Sequence, residues 1–366
     1  MTTRHIVYPF LSIVILTLSL ISCSKNFETS NIKTDLLSCD PSHGMTSYCG
    51  FTNPEDMVII ANGTKLLVSE IGVFMRDTPG SLTLLDLASG QKQSIKIIWE
   101  KDDESWGDYL CPQPKITLFS PHGIDLMTRK DGKLQLYVVN HGGREAVEFF
   151  ELSQRNHEWQ LHWKGCALPP GDPFINDVAG LNDGGFMVTH MWDKNQPYLM
   201  LMFKYLFGIN TGWVWEWQPQ RGFYKLAEAS GVAPNGIVVS DDNSKIYVNL
   251  YGDNKTIKID RLTGLIEDEY EIQQPDNITL DEEGNLWIAS HKHNPITQDC
   301  VNVVAGPCML PFEIIKVDTK SMQTEVALSH HGVPFGYSTV ALKVGNTVYM
   351  GSAHGDRIVS FELPDT

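Results

Sequence analysis

The sequence has 366 residues, with 28 Lys and Arg against 44 Asp and Glu, which gives a formal charge of −16. This acidic balance makes nucleic acid an unlikely partner. With 42% hydrophobic residues, the composition excludes wholesale disorder and fits a chain that buries a large core. Length alone would suggest two or three domains, but a repeat architecture can hold such a chain in one domain.

The N-terminal segment has the features of an export signal. Arg4 and His5 precede an apolar stretch, residues 6–21, that is short for a spanning helix and typical of a secretory signal. It ends at Leu20-Ile21-Ser22-Cys23, which resembles the bacterial lipobox. That resemblance implies cleavage before Cys23 and lipid attachment to its sulfur; an ordinary signal peptide with a chance cysteine is the alternative.

These features divide the chain. We expect residues 1–22 to be a lipoprotein signal peptide, residues 23–37 a lipidated tether and residues 38–366 a single domain. The expected location is the bacterial cell envelope, where the exported protein is held by its lipid on the periplasmic or surface side. The sequence does not fix an oligomeric state.

Six cysteines remain after Cys23, and an even number in an exported chain favours disulfides. The sequence does not single out one pairing. Because two of the resulting loops are short, we predict the pairs Cys39 with Cys49, Cys111 with Cys166, and Cys300 with Cys308. Thiolate metal binding is the weaker alternative, since no close Cys-x-x-Cys spacing occurs.

One pattern recurs along the chain: a short apolar run, a turn rich in Asn, Asp and Gly, and a second apolar run that ends at a polar residue. Each copy is a β-hairpin signal, because β-branched and aromatic residues flank residues that tolerate a tight turn. The turns of its copies are Asn62-Gly63, Asp131-Gly132, Asp183-Gly184, residues 241–244, Glu283-Gly284 and Gly345-Asn346.

Six hairpins spaced about 40 to 70 residues apart match the period of propeller blades. We therefore predict an all-β fold, a six-bladed β-propeller, in which radial closure protects the strand edges. Two packed β-sandwich domains are the alternative, but they give no reason for six similar hairpins.

The predicted topology turns the repeat into a site. If the first strand of each hairpin is the inner one, the residues before it and those ending the second strand meet at one mouth of the central channel. The residues before the first strands are all polar: Glu55-Asp56, His122, Asn176-Asp177, Asn235, Asp276-Asn277 and Ser338-Thr339. The second strands end at Glu70, His141, His190, Tyr251, His291 and His354.

The first of these sets suits a hard cation. Its carboxylate and amide oxygens come from Glu55, Asn176, Asn235, Asp276 and Asn277. Ca²⁺ takes six to eight oxygens, so water would complete its shell, whereas the absence of thiolates disfavours zinc or copper. The alternative is that Asp and Asn at such positions bond their own backbone and cap turns.

Six short motifs resemble, in order, those of the paraoxonase/arylesterase family. They are Asn53-Pro54-Glu55-Asp56, Pro121-His122-Gly123-Ile124, Val138-Val139-Asn140-His141, Asn176-Asp177-Val178, Pro234-Asn235-Gly236-Ile237 and Pro275-Asp276-Asn277-Ile278. More broadly, the chain resembles the calcium-dependent six-bladed propellers that include senescence-marker gluconolactonases and strictosidine-synthase-like proteins. The resemblance runs from about Gly50 to the C-terminus.

This resemblance implies two calcium ions and a histidine pair. The catalytic Ca²⁺ would be held by the five residues that supply the oxygens above. A second, structural Ca²⁺ would lie deeper in the channel, near Asp56, Asp177 and the backbone carbonyl of Ile124. His122 and His141 match the histidine dyad that is proposed to activate water in the family.

The expected function is calcium-dependent hydrolysis of small lactones or aryl esters. Ca²⁺ would polarise the carbonyl, and His122, oriented by His141, would take a proton from water. No Gly-x-Ser-x-Gly nucleophile motif occurs. The alternatives are a gluconolactonase-like sugar lactonase that uses the metal without the dyad, and a non-enzymatic propeller that binds a partner.

Overall fold

The computed structural model describes residues 36–73, 78–100, 106–303, 305–321 and 323–364. The expected signal peptide, the lipidation at Cys23 and most of the expected tether lie outside these residues. Strands make up 52% of the structure and helices 6%, which confirms the all-β prediction. Among the described residues, no helix combines the length and the apolar character needed to cross a bilayer.

The first three sheets follow one another along the chain. The first strand is β1 (Met45–Cys49). Blade one contains β2 (Pro54–Ile60), β3 (Lys65–Glu70), β4 (Ser81–Asp86) and β5 (Gln91–Ser94). Blade two contains β6 (Lys96–Ile98), β7 (Pro121–Thr128), β8 (Leu134–Asn140), β9 (Ala146–Arg155) and β10 (Glu158–Ala167). Blade three contains β11 (Pro173–Gly180), β12 (Phe186–Asp193), β13 (Gly212–Gln218) and β14 (Gly222–Gly231).

The remaining sheets repeat the arrangement. Blade four contains β15 (Pro234–Val239), β16 (Lys245–Leu250), β17 (Lys255–Asp260) and β18 (Ile266–Glu271). Blade five contains β19 (Pro275–Leu280), β20 (Asn285–His291), β21 (Phe312–Asp318) and β22 (Thr324–His330). Blade six contains β23 (Val340–Val344), β24 (Thr347–Gly351) and β25 (Arg357–Glu362), with β1 as its outermost strand.

The helical segments between strands lie in the connections. The α-helix α1 (Tyr198–Leu206) lies between β12 and β13. Single 3₁₀ turns occur at Ala61–Gly63, Ile116–Leu118 and Tyr251–Asp253.

The six sheets form a closed ring, as the sequence predicts. The first strands of the six predicted hairpins are the inner strands, namely β2, β7, β11, β15, β19 and β23. Each inner strand packs against the inner strands of both neighbouring blades, including β2 against β23. The core lies between blades; Tyr137 and Phe149 of blade two, for example, pack with Phe186 of blade three. The prediction of a six-bladed propeller is therefore confirmed.

The ring closes through its ends, because β1 pairs antiparallel with β25 over the register Met45 to Phe361 and Cys49 to Arg357. The buried guanidinium of Arg357 also donates to the carbonyls of Ser38 and Leu36 and holds the start of the described chain against this blade.

Three disulfides fix the connections, with the pairing expected from the sequence. Cys39 bonds Cys49 beside β1, Cys111 ties the segment before β7 to Cys166 in β10, and Cys300 bonds Cys308 between β20 and β21.

Candidate active site and cation site

A cavity of about 320 Å³ lies at one mouth of the channel. Its polar base is formed by the predicted residues Glu55, His122, Asn176, Asn235 and Asp276. Its walls are largely aromatic or aliphatic, among them Trp192, Tyr198, Leu201, Met202, Tyr205 and Ile296. A polar floor beneath apolar walls is the arrangement typical of a small-molecule site.

The polar residues lie within the inner strands, not before them. The register between inner and second strand shifts at the same point in five blades, between Pro54 and Asp56 in the first and between Pro275 and Ile278 in the fifth. In a regular strand consecutive side chains point to opposite faces, whereas a bulge re-aims them. Glu55 therefore lines the mouth cavity while the next residue, Asp56, lines a second cavity in the channel.

Two glycines allow the inner strands to approach closely here. A Cβ atom on Gly123 would lie 2.6 Å from the carbonyl oxygen of Asn176. A Cβ atom on Gly236 would lie 2.4 Å from the carbonyl oxygen of Asp276. Both distances are too short for any side chain, so glycine lets His122 and Asn235 sit beside the polar residues of the next blade.

Four buried oxygens at this base have no hydrogen-bond partner in the described part of the chain: Glu55 Oε2, Asn176 Oδ1, Asn235 Oδ1 and Asn277 Oδ1. The Asn277 amide is held in place, because its Nδ2 donates to Glu55 Oε1 at 2.8 Å. A buried acceptor left without a partner costs about 1–3 kcal/mol. All four atoms belong to predicted calcium ligands, and their chemistry fits an oxygen-seeking cation.

The fit depends on amides as much as on carboxylates. Within the described ranges, no three His, Cys, Asp or Glu side chains are arranged to hold an ion by themselves. This is consistent with the predicted cation site, because three of its five ligands are asparagines rather than His, Cys, Asp or Glu.

Buried acidic groups surround the same point. Burial, followed by the negative charge of Glu55, raises the pKa of Asp276 and of Asp56 well above the usual range. Burial and the charge of Asp56 raise the pKa of Asp177 in the same way. No described lysine or arginine forms an ion pair with these groups. Such a cluster needs protons or a cation to offset its charge.

The two deeper carboxylates already have backbone donors. Asp56 accepts the N–H of Ile124 at 2.8 Å, and Asp177 accepts the N–H of Ile237 at 2.8 Å. Each carboxylate thus joins its inner strand to that of the next blade. Both line the second cavity, also about 320 Å³, together with Ile124.

The predicted histidine pair is in direct contact. His122 Nδ1 lies 2.5 Å from His141 Nε2, and His122 Nε2 lies 3.4 Å from Glu55 Oε1. The ring of His141 stacks on Phe174 with centroids 4.4 Å apart. One histidine therefore faces the polar base, and the second lies behind it.

The profile of the Arylesterase family matches residues 51–357, which is most of the chain. The chain belongs to the arylesterase family.

Two curated relatives match part of the chain. Human serum paraoxonase/lactonase 3 is 28% identical over 206 residues, which cover 53% of this chain and 52% of the relative. Mechanosensory abnormality protein 6 of Caenorhabditis elegans is 22% identical over 179 residues, which cover 47% of this chain and 46% of the relative. The chain spans about half the length of the curated relatives it matches.

Solved structures share the fold. A gluconolactonase from Xanthomonas campestris superimposes with a TM-score of 0.51 at 14% identity, covering 87% of the present chain and 89% of the gluconolactonase chain. A luciferin-regenerating enzyme gives a TM-score of 0.51 at 14% identity, covering 85% and 92%. At this identity the likeness shows the propeller fold alone.

The remaining strand-end histidines do not join the His122–His141 pair. His291 lies 3.1 Å from the Tyr251 hydroxyl and 2.9 Å from the carbonyl of Ser338, and burial lowers its pKa to about 3. His354 lines the mouth cavity, and burial lowers its pKa to about 4. His190 lies 3.2 Å from Asp193. Of the predicted set, only His141 contacts His122.

Sequence reasoning missed several residues of the site. Tyr337 lines the cavity and stacks on His291 at 4.0 Å, from a loop with no recognisable motif. Glu145 bonds His141; its spacing of four residues from that histidine is the one signal that could have drawn attention to it. Helix α1 supplies Tyr198, Leu201, Met202 and Tyr205 to the wall, in a connection that lies outside the repeated hairpin pattern.

Proposed function

We propose that this protein is a calcium-dependent hydrolase of lactones or aryl esters. The observation that carries the proposal is the group of four unpartnered buried oxygens at the base of an apolar cavity, next to the His122–His141 pair. Membership of the arylesterase family and the name of the human paraoxonase/lactonase relative support it.

The catalytic ion would be held by Glu55, Asn176, Asn235, Asp276 and Asn277. When bound there, calcium supplies Lewis-acid polarisation of an acyl carbonyl and stabilises the negative charge that develops on its oxygen. We place a second, structural ion near Asp56, Asp177 and Ile124, where the channel carries two further carboxylates.

The histidines supply the base. His122 Nε2 takes a proton from a water molecule as the water oxygen forms its bond to the acyl carbon. The carbon–oxygen bond to the leaving group then breaks, and His122 returns the proton to the departing oxygen. No covalent bond to the protein is required. His141 Nε2 lies 2.5 Å from His122 Nδ1 and, as a hydrogen-bond acceptor there, would hold the His122 ring in this orientation.

The apolar walls orient the substrate. Trp192, Tyr205 and Ile296 offer contact to an acyl chain or aryl ring and exclude water, which strengthens every charged interaction at the base.

A panel of aliphatic lactones, sugar lactones and phenyl acetate, measured with and without Ca²⁺, tests the proposal. We expect calcium-dependent turnover of an aliphatic lactone or of phenyl acetate. Turnover of sugar lactones alone, retained when His122 is replaced, would favour the gluconolactonase-like alternative. Absence of turnover throughout the panel would reject the hydrolase proposal and favour a non-enzymatic propeller that binds a partner.

Substitution of the proposed ligands tests the ion site. Asn235→Ala and Asp276→Ala should each weaken Ca²⁺ binding roughly 10-fold or more. Asp276→Ala should lose more affinity than Asn235→Ala, because it also removes a negative charge. Isothermal titration with Ca²⁺ measures the change. Asp242→Ala, in an exposed hairpin turn, is the matched charge control. Unchanged affinity in both ligand variants would reject the assignment.

We also propose export and lipid anchoring of the mature protein to a bacterial envelope membrane, which the three disulfides support because they form in oxidising compartments. Cys23→Ser should give an unlipidated protein that no longer sediments with membranes. Cell fractionation followed by immunoblotting measures this. Full membrane association of the variant would overturn the lipobox assignment.

A further inference from the structure

Glu145 makes the contact behind the histidine pair. Its Oε2 lies 2.9 Å from His141 Nδ1 and accepts the backbone N–H of Ile175 at 3.3 Å. Its Oε1 accepts a hydrogen bond from the Lys194 ammonium group at 2.5 Å. The side chain is 4% exposed. Both carboxylate oxygens therefore face nitrogen donors, in an environment largely shielded from water.

The β8–β9 connection places this carboxylate. The backbone N–H of His141 donates to the carbonyl of Ser120, and the N–H of Gly142 donates to the Asn140 side chain. A Cβ atom on Gly142 would lie 1.5 Å from the carbonyl oxygen of Leu118, so only glycine permits this packing. The short loop that begins at His141 leads into β9 and places Glu145 beside the His141 imidazole.

The donors around Glu145 favour the ionised form of its carboxylate. Burial alone would raise the pKa of Glu145, but the charges and hydrogen bonds of His141 and Lys194 outweigh burial and hold that pKa below its usual value. An ionised carboxylate only accepts hydrogen bonds, so the His141 Nδ1 that faces it must carry a proton.

The proton on His141 Nδ1 determines the tautomer of His122. A neutral imidazole protonated on Nδ1 has its acceptor on Nε2, and His141 Nε2 faces His122 Nδ1. His122 must then be protonated on Nδ1, which makes Nε2, beside Glu55 in the mouth cavity, its acceptor nitrogen.

We infer that Glu145 is the positioning residue of the hydrolytic base: through His141 it sets the protonated nitrogen of His122, so that Nε2 faces the substrate. This inference rests on the proposed function. Stacking on Phe174 fixes the plane of the His141 ring, and the carboxylate fixes its tautomer. Lys194 and the Ile175 N–H hold the carboxylate in turn.

The relay balances without a proton on Glu145. When His122 Nε2 takes the proton of the attacking water, the ring becomes an imidazolium whose Nδ1–H still donates to His141. The negative charge of Glu145 stabilises that cation across the intervening ring. When the leaving oxygen takes the proton back, the starting tautomers are restored.

Glu145→Gln tests the inference. The glutamine amide has only one acceptor oxygen, whereas the carboxylate offers one oxygen to Lys194 and one to His141. Its NH₂ group must therefore face one of these two residues, and the His141 tautomer is no longer fixed. We expect kcat for the best lactone to fall roughly 10²-fold with KM little changed. Glu151→Gln is the matched control, because Glu151, in β9, is likewise a glutamate beside a lysine, 3.2 Å from Lys164; it should keep wild-type kcat.

A second measurement does not depend on turnover or on a variant that folds. In ¹⁵N-histidine spectra of the wild-type protein, the rings of His122 and His141 should both be protonated on Nδ1 when neutral. A proton on His141 Nε2, or wild-type kcat in Glu145→Gln, would overturn the inference. If the wild type hydrolysed no ester or lactone, the proposed function would fail while the spectra still decided the tautomers.

Discussion

Replacement of His122 with glutamine is expected to lower kcat for the best lactone by roughly 10²-fold or more, the usual scale for loss of a general base. Glutamine retains a donor toward His141 Nε2 but has no nitrogen that accepts a proton at neutral pH. The variant removes none of the proposed side-chain ligands of the ion. Its melting temperature should therefore still rise with added Ca²⁺, as measured by scanning calorimetry.

His331→Gln is the control for this experiment, because His331 is exposed in the connection between β22 and β23. It should keep wild-type kcat. If His122→Gln hydrolysed the lactone at the wild-type rate, the histidine pair would be structural and the base would have to be sought among the ion ligands. If it lost calcium-dependent melting together with activity, the defect would lie in the site as a whole.

Removal of calcium should produce the second large effect, which combines loss of hydrolysis with loss of stability. An ion that binds only the native state stabilises it by mass action, by about 2.7 kcal/mol at a concentration 100 times Kd. Without the ion, the unpartnered oxygens and the mutually repelling carboxylates at the base remain buried without compensation. Dialysis against a chelator should abolish turnover and lower the melting temperature by several degrees.

Metal specificity is the control for chelation. Ca²⁺ should restore both activity and melting temperature, whereas equimolar Mg²⁺ should not, because Mg²⁺ demands strict octahedral geometry and gives up its waters reluctantly. A chelated protein with full activity and an unchanged melting temperature would contradict the calcium proposal.

The fold could be predicted because its signals are local. Each inner hairpin places Asn, Asp or Gly at a turn between two apolar runs, and those residues adopt the turn regardless of the rest of the chain. Asn62, for example, has a φ of 52° at the first of these turns. Six independent local signals in phase left one architecture that accounts for all of them.

The cation site could be predicted in outline for the same reason. Glu55, Asn176, Asn235 and Asp276 occupy equivalent points of blades one, three, four and five, so the symmetry of the ring brings them together. The bulges that aim them could not be predicted, since a bulge depends on the pairing of two strands and not on the composition of one. Glu145 and Tyr337 follow no repeat, and their roles depend on contacts that exist only in the folded protein.

The pairing of β1 with β25 has a consequence for how the protein is made. The chain is synthesised from its N-terminus, so β1 is made long before β25, and blade six cannot close until β25 has been made. The contact joins Met45 to Phe361, and this long sequence separation makes closure a late and entropically costly event. The channel, with its oxygens contributed by separate blades, is therefore complete only after β25 has been made and paired. A nascent chain that still lacks β25 has no assembled site.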